Sequence, residues 1–410
     1  MTLRIENAEL FGVTESSLTL YFSVEADDGP IDAPANVRID GEIRCVCEGI
    51  SGTRRIEIDC LDPDTEYRIE IETSDGSPAI HDDPFPATAR TLPKPSGELV
   101  ASFATLNDLH FGEPRFGGVL RPDGEPDEDR PGWGFVQETD DEVPYWKFMN
   151  EDAIAQINSL GVDAAFIKGD IADRGLPEQF GAAADAFSKF AMPHHAFLGN
   201  HDYYARNISV RGQDGLEVDG YALLGQPPAP RTVDLGGWRL ILLETSIPGD
   251  HHGELDDERL YWLDQSLAQS RLAAIPTLIM MHHQPVPPEH AGSYPNSIGI
   301  KPRDSVALFE LIGLNPQVRG VLIGHTHRNR VRRYAGSGDV PFIEVNCTKD
   351  YPGGFAHYRL FDDGSFRQQV HRTSTTRALA HSTRCATFFQ GGYRKFALGA
   401  LSSRSFVVGA

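Results

Sequence analysis

A small all-β sandwich followed by an α/β sandwich is the architecture this sequence predicts, and two observations carry the prediction. Residues 1–97 hold short runs of β-branched and aromatic residues broken by turn formers, with no helical period. From 98 to 372, apolar strand-like runs alternate with helix-like segments, the order from which layered α/β domains are built. A length of 410 residues suits two or three such units.

In the first region, strands are expected at 10–13, 17–24, 37–45, 54–58 and 67–72. The stretch Leu61-Asp-Pro-Asp-Thr-Glu-Tyr67 resembles the Leu-x-Pro-x-Thr-x-Tyr corner of fibronectin type III domains. In such sandwiches the tyrosine hydroxyl ties a corner back to the backbone. A Pro/Gly/Ser linker at 91–97 closes the unit. The second region, 98–372, then reads as strand 99–106, helix 145–160, strand 164–168, helix 177–190 and strand 195–198. Strand 239–244, helix 256–272 and strands 277–281, 318–323, 355–360 and 366–370 follow. Between 111 and 144 lies a long acidic segment, either a roof over a site or a solvated excursion. Residues 373–410 form an extension whose Thr387-Phe-Phe-Gln-Gly-Gly-Tyr-Arg-Lys-Phe396 is too apolar for a loose tail. It is expected to pack on the body or on a partner subunit, which makes a homodimer a candidate assembly.

Composition excludes several classes. No run of eighteen apolar residues occurs, so no membrane span is expected, and the first residues lack the apolar stretch of a secretory signal. Five cysteines, scattered and odd in number, suggest reduced thiols and a cytoplasmic protein. Net charge is −22, from 37 basic and 59 acidic residues, with no basic stripe for a nucleic-acid polymer. A small anionic substrate drawn in by metal ions fits that balance better.

Five short motifs in order carry the chemistry: Asp108-x-His110, Gly169-Asp170-x-x-Asp173, Gly199-Asn200-His201-Asp202, His282-His283 and Gly324-His325-Thr326-His327. Carboxylates, an amide oxygen and imidazoles at the ends of apolar strands are what a pair of hard cations about 3.5–4 Å apart requires. Asp108 and His110, two apart, share a face, as do His325 and His327. Asp170, with two oxygens, is the natural bridge between ions. His282 and His283 are adjacent, so at a strand end they are expected to point to opposite sides, with only His282 ligating.

Together these motifs resemble the calcineurin-like metallophosphoesterases over about residues 100–372, and within them the class III cyclic-nucleotide phosphodiesterase and glycerophosphodiesterase group. The resemblance implies a four-layer αββα sandwich and two metal ions, with manganese, iron and zinc all compatible. It implies that Asp108, His110, Asp170 and His327 hold one ion, and Asp170, Asn200, His282 and His325 the other. Hydrolysis would use water activated between the ions, with His201 protonating the leaving oxygen. Asp173 would orient His201 through a hydrogen bond, as in the Ser/Thr phosphatase branch. Met-Met-His282-His-Gln284-Pro departs from the His-His-Pro-Pro stretch of the diesterase branch at Gln284. In Asp250-His251-His252-Gly253, His252 is read as a turn residue. The expected activity is hydrolysis of small phosphodiesters, cyclic nucleotides or glycerophosphodiesters. A phosphomonoesterase with the same metals is its rival, and a binding or scaffolding protein the reading from another class.

Overall fold

Alternating burial shapes the first region. The computed structural model describes residues 2–114, 116, 143–206, 217–292, 295–388 and 391–409, so residues 115 and 117–142 of the acidic segment lie outside the described residues. In strand Glu66–Thr73 every second side chain is buried, which seals one face and wets the other. Two four-stranded antiparallel sheets stack their apolar faces around Leu20, Phe22, Val37, Ile69 and Phe85. The backbone N–H of Asp62 donates to the Tyr67 hydroxyl at 2.8 Å, a corner tie of the kind the Leu61–Tyr67 segment suggests. The single strand expected at 37–45 is instead a hairpin, Ala35–Ile39 and Glu42–Cys47. Asp40 and Gly41 turn it, both at positive φ (50° and 82°), the conformation that an Asp-Gly pair favours between strands.

The second region builds two six-stranded sheets. Ala164–Lys168 and Thr277–Met281 are buried at every position, as central parallel strands covered on both faces are. The first sheet runs in the order His194–Phe197, Ala164–Lys168, Leu99–Leu106, Phe355–Phe361, Phe366–His371, Ser405–Val408. The second runs Arg231–Leu235, Trp238–Leu243, Thr277–Met281, Val318–Ile323, Phe342–Glu344, Arg330–Arg332. Phe103, Phe166 and Phe366 of the first sheet share a core with Leu240, Met280 and Leu322 of the second. Helices Tyr145–Leu160 and Pro177–Phe187 cover the outer face of the first sheet through Ile154, Ile157 and Phe180. Asp257–Leu272 and Pro302–Gly313 cover the second through Leu263, Leu267 and Leu308. The layers are therefore αββα.

Lys168 joins the two sheets from within. It is fully buried, donates from Nζ to the Ile323 carbonyl at 2.7 Å, and burial pulls its pKa down to about 7.

The C-terminal extension packs on this chain's own body. Helices Thr376–Ala386, Gly392–Leu398 and Leu401–Arg404 precede strand Ser405–Val408, which pairs antiparallel with Phe366–His371. Arg404 is buried and donates to the carbonyls of Phe11 and Leu10, both at 2.8 Å. Glu9, 2% exposed in strand Arg4–Val13, accepts from Arg372 at 3.1 Å, Arg394 at 3.0 Å and the Tyr351 hydroxyl at 2.5 Å. This one carboxylate therefore joins the N-terminal sandwich, the α/β body and the extension. Among the described residues no helix is long and apolar enough to cross a membrane.

Candidate metal centre

Five sheet strands stop at one edge, and each sequence motif begins where its strand stops. Leu99–Leu106, Ala164–Lys168 and His194–Phe197 of the first sheet deliver the first three motifs. Thr277–Met281 and Val318–Ile323 of the second deliver the other two. Ten described non-glycine residues have positive φ, and five of them are Asp108, His110, Asp170, His325 and His327 (44° to 65°). That conformation costs an L-residue roughly 1–2 kcal/mol. Its concentration at one place marks strain held for function.

Small residues make the approach possible. A Cβ on Gly169 would stand 2.7 Å from His282 Nδ1, and one on Gly199 would stand 2.3 Å from Asp170 Oδ1. Asp202, buried behind them, accepts from the backbone N–H groups of Gly199 (2.8 Å), Ala172 (2.7 Å) and Ile171 (3.2 Å), locking the second motif to the third.

Most of the predicted ligands are held by one atom and present another. Asp108 Oδ2 accepts from Asn107 Nδ2 (2.6 Å) and the His325 N–H (3.0 Å). Its Oδ1 has no hydrogen-bond partner and lies 3.3 Å from His327 Nε2. Asp170 Oδ1 accepts from the His201 N–H at 2.9 Å. Its Oδ2 lies 3.2 Å from His282 Nε2 and 3.8 Å from His110 Nε2. His282 Nδ1 is tied to the Lys168 carbonyl at 2.7 Å, which leaves Nε2 to face Asp170 and, at 3.2 Å, Asn200 Oδ1. Asn200 donates its amide to the Tyr204 hydroxyl at 2.6 Å, so its oxygen is the atom presented. His325 Nε2 meets the Ile298 carbonyl at 2.9 Å, leaving Nδ1. His327 Nδ1 meets Asp350 Oδ2 at 3.2 Å, leaving Nε2. His110 differs, with neither ring nitrogen hydrogen-bonded although it is 3% exposed.

Electrostatics agree with a cation site. Burial raises the pKa of Asp170, but the imidazoles of His282 and His201 outweigh it and hold the carboxyl well below its usual range. Asp108 is likewise lowered, against its burial, chiefly by His327. Burial, with His201 and Lys349 nearby, keeps the His110 imidazole neutral. Atoms from Asp108, His110 and His327, and from Asp108, Asp170 and His282, lie within 4.8 Å of one another in each set. Burial lowers the His282 pKa, but Asp170 outweighs it and pushes it up to about 9, so the ring holds a proton that a bound cation would displace. Carboxylate oxygens and imidazole nitrogens, buried and pre-oriented by outer partners, suit divalent or trivalent cations.

Two expectations need correction. His201 Nδ1 bonds the backbone carbonyl of Asp173 at 2.8 Å, whereas the Asp173 carboxylate is 3.9 Å away and closer, at 3.5 Å, to His110 Nδ1. The Asp173 contact with His201 is thus made by its main chain, because the turn after Asp170 directs the carboxylate toward His110 and Arg174 (3.6 Å). His282 and His283 were expected on opposite sides, yet their rings lie 4.9 Å apart, with His283 4.5 Å from His325. Strand geometry ends at Met281, so alternation no longer governs the pair. His283 Nδ1 meets Thr245 Oγ1 at 2.9 Å, and its buried Nε2 is without a partner.

Sequence reasoning missed Asp350, Tyr204 and His251. The Tyr204 hydroxyl contacts His251 Nδ1, and both side chains line the cavity beside the metal-ligand set. His252, read as a turn residue, bonds Asp250 in the same turn at 2.8 Å. Asp350 lies 23 residues beyond His327, with no spacing signal to mark it. The cavity, about 620 Å³, also receives Phe388, Tyr393 and Phe396 from the C-terminal extension.

Residues 101–329 match the family described as calcineurin-like phosphoesterase. The chain is 29% identical over 225 residues to a Synechococcus sp. protein named "Probable cyclic nucleotide phosphodiesterase", covering 52% of this chain and 78% of that one. It is 29% identical over 222 residues to the 3',5'-cyclic adenosine monophosphate phosphodiesterase CpdA of Pseudomonas aeruginosa, covering 52% and 75%. It is 27% identical over 193 residues to the glycerophosphodiester phosphodiesterase GpdQ of Enterobacter lignolyticus, covering 45% and 64%.

Proposed function

This chain belongs to the calcineurin-like phosphoesterase family, and from that premise we propose that it is a dinuclear metal-dependent hydrolase of small phosphodiesters. One observation carries the reading: Asp170 lies between two ligand groups, near His110 on one side and, on the other, near His282, whose Nε2 also faces the Asn200 amide oxygen. In this reading Asp108, His110, Asp170 and His327 hold one ion, and Asp170, Asn200, His282 and His325 the second. Manganese, iron and zinc all suit these donors. When bound, the ions supply Lewis acidity toward phosphoryl oxygens and acidify water.

The chain's own residues supply orientation and proton transfer. His201 Nδ1–H donates to the Asp173 carbonyl; Nε2, when it too carries a proton, gives that proton to the departing oxygen and the ring returns to its neutral Nδ1–H form. Tyr204 keeps the Asn200 amide oxygen turned toward His282. The cavity beside these groups contains no Lys or Arg among its described lining residues. A singly charged diester needs fewer compensating cations than a doubly charged monoester, so this lining favours the diesterase over its monoesterase rival. The relatives named for cyclic-nucleotide and glycerophosphodiester hydrolysis support the same choice. The scattered, odd-numbered cysteines favour the cytoplasm as its compartment.

The test is turnover of bis(p-nitrophenyl) phosphate against p-nitrophenyl phosphate by the full chain, stripped with chelator and reloaded with manganese. Diester hydrolysis should dominate and vanish on stripping. Monoester turnover tenfold above diester turnover would favour the rival, and no metal-dependent hydrolysis of either would leave the scaffolding reading.

A further inference from the structure

The cavity that holds the ligand side chains has a second, chemically different wall. Phe116, Phe388, Tyr393 and Phe396 line it, with Phe116 ring centroids 5.3 Å from Phe388 and 5.2 Å from Tyr393, and Tyr393 6.1 Å from Phe396. Three of the four come from the C-terminal extension, outside the 101–329 stretch that matches the family. The cations near this wall are engaged behind it. Lys349 Nζ lies 4.8 Å from the Phe116 ring and 2.5 Å from Glu113, and Arg328 lies 5.1 Å from the Phe396 ring and 2.8 Å from Glu344. Glu113, the acidic residue beside the rings, also accepts from the Tyr145 hydroxyl at 2.5 Å.

We propose that the C-terminal extension is the specificity wall of the site, and that these rings receive a flat aromatic substituent of the diester. The proposal rests on the phosphodiesterase reading and names the class of diester. The phosphate's charge is met at the Asp/His end of the cavity, so the substituent beyond it meets mostly ring carbon. A polyhydroxyl group such as glycerol finds few polar atoms there, because Glu113 is already engaged. An aryl ring or a nucleobase gains ring–ring contact, which is worth about a threefold to tenfold preference. Phe396, half-buried at the end of this wall, is the residue to change with least damage to the fold.

Ethyl p-nitrophenyl phosphate and phenyl p-nitrophenyl phosphate share a leaving group and differ only in the substituent retained. With manganese-loaded full chain, kcat/KM should favour the phenyl ester about tenfold, mostly through KM. F396L keeps apolar volume and removes a ring. It should bring the two esters within about threefold while leaving the ethyl ester's rate within about twofold. Binding of diphenyl phosphate and diethyl phosphate, followed by calorimetry, should show the same preference and the same loss in F396L. If F396L weakens 3',5'-cyclic AMP as an inhibitor along with diphenyl phosphate, the wall takes nucleobases; if diphenyl phosphate alone weakens, it takes plain aryl rings. Equal binding of the two phosphates by the unmodified protein, or an F396L loss shared equally by both esters, would overturn the wall. Preferential diphenyl phosphate binding without turnover of either ester would retain the wall and overturn the phosphodiesterase reading.

Discussion

Removing the carboxylate of Asp350 should weaken metal binding without unfolding the protein. Asp350 is fully buried, and its Oδ2 lies 3.2 Å from His327 Nδ1. Burial opposes its ionisation, but the His327 hydrogen bond and Lys349 outweigh it and hold its pKa below the ordinary range. Deleting the side chain strands no second charge, because Lys349, 3.6 Å from Asp350, keeps Glu113 at 2.5 Å. The cost therefore falls on the aim and basicity of the His327 ring. A hydrogen bond to a charged partner is worth about 1.5–3 kcal/mol, which at about 1.4 kcal/mol per decade is a tenfold to hundredfold loss of affinity. That range matches the usual effect of removing an outer partner from a ligating histidine. Asp350→Ala should show the full loss, and Asp350→Asn, which keeps a neutral acceptor, about tenfold or less. The assay is calorimetric titration of chelator-stripped protein with manganese, with thermal melts in chelator to check the fold. Wild-type affinity and stoichiometry in both variants, with the fold intact, would refute the claim that Asp350 holds His327 as a ligand.

Other perturbations test other parts of the site and the fold. Asn200→Ala and His201→Ala should each cut turnover by about 10²–10⁴-fold, and only the first should also lower metal affinity, which separates ligand from proton donor. Gly199→Ala should lose metal binding, because its Cβ would stand 2.3 Å from Asp170 Oδ1; a variant that binds two ions normally would contradict this. Glu9→Ala leaves Arg372, itself 2% exposed, without its carboxylate, and should cost about 3–5 kcal/mol in urea unfolding. His357 and His371 have pKa values that burial, the largest cause for each, lowers to about 4 and about 3. Unfolded, both sit near the ordinary ~6.5. Between pH 6.5 and 4 the unfolded chain therefore binds protons that the folded chain does not. Stability is then lost as pH falls, by up to about 1.4 kcal/mol per pH unit for each histidine. The double variant H357Q/H371Q should flatten that part of the stability profile relative to wild type.

The site was legible in sequence where chemistry and chain order coincide. Strands 99–106, 164–168, 277–281 and 318–323 end where their motifs begin, and those four strands have the expected bounds. Local signals also sufficed for helix 145–160. What sequence reasoning missed depends on contacts between distant residues. Asp350 reaches His327 only because the chain returns after strand Phe342–Glu344, and no short-range pattern encodes that return. The His282-His283 pair was misjudged for a local reason: strand geometry was extended past Met281, into a turn with its own dihedral angles. The role of the Asp173 carboxylate came from family resemblance, whereas the turn after Asp170 sends it toward His110. At 37–45, Asp40-Gly41 was a readable hairpin signal overridden by the apolar residues around it. The extension's aromatic residues were recognisable as packed, but their place in the cavity follows only from the fold.

Helix Gly392–Leu398 turns Tyr393 and Phe396 toward the cavity, while Arg394 between them binds Glu9 and the Ala8 carbonyl of the N-terminal sandwich. The sandwich is thereby an abutment for one side of the substrate pocket, though it contributes no atom to the chemistry. A truncated chain beginning at the linker would keep all seven proposed ligands and lose the anchor of its aromatic wall. Such a chain should still load metal but select its substrates less sharply.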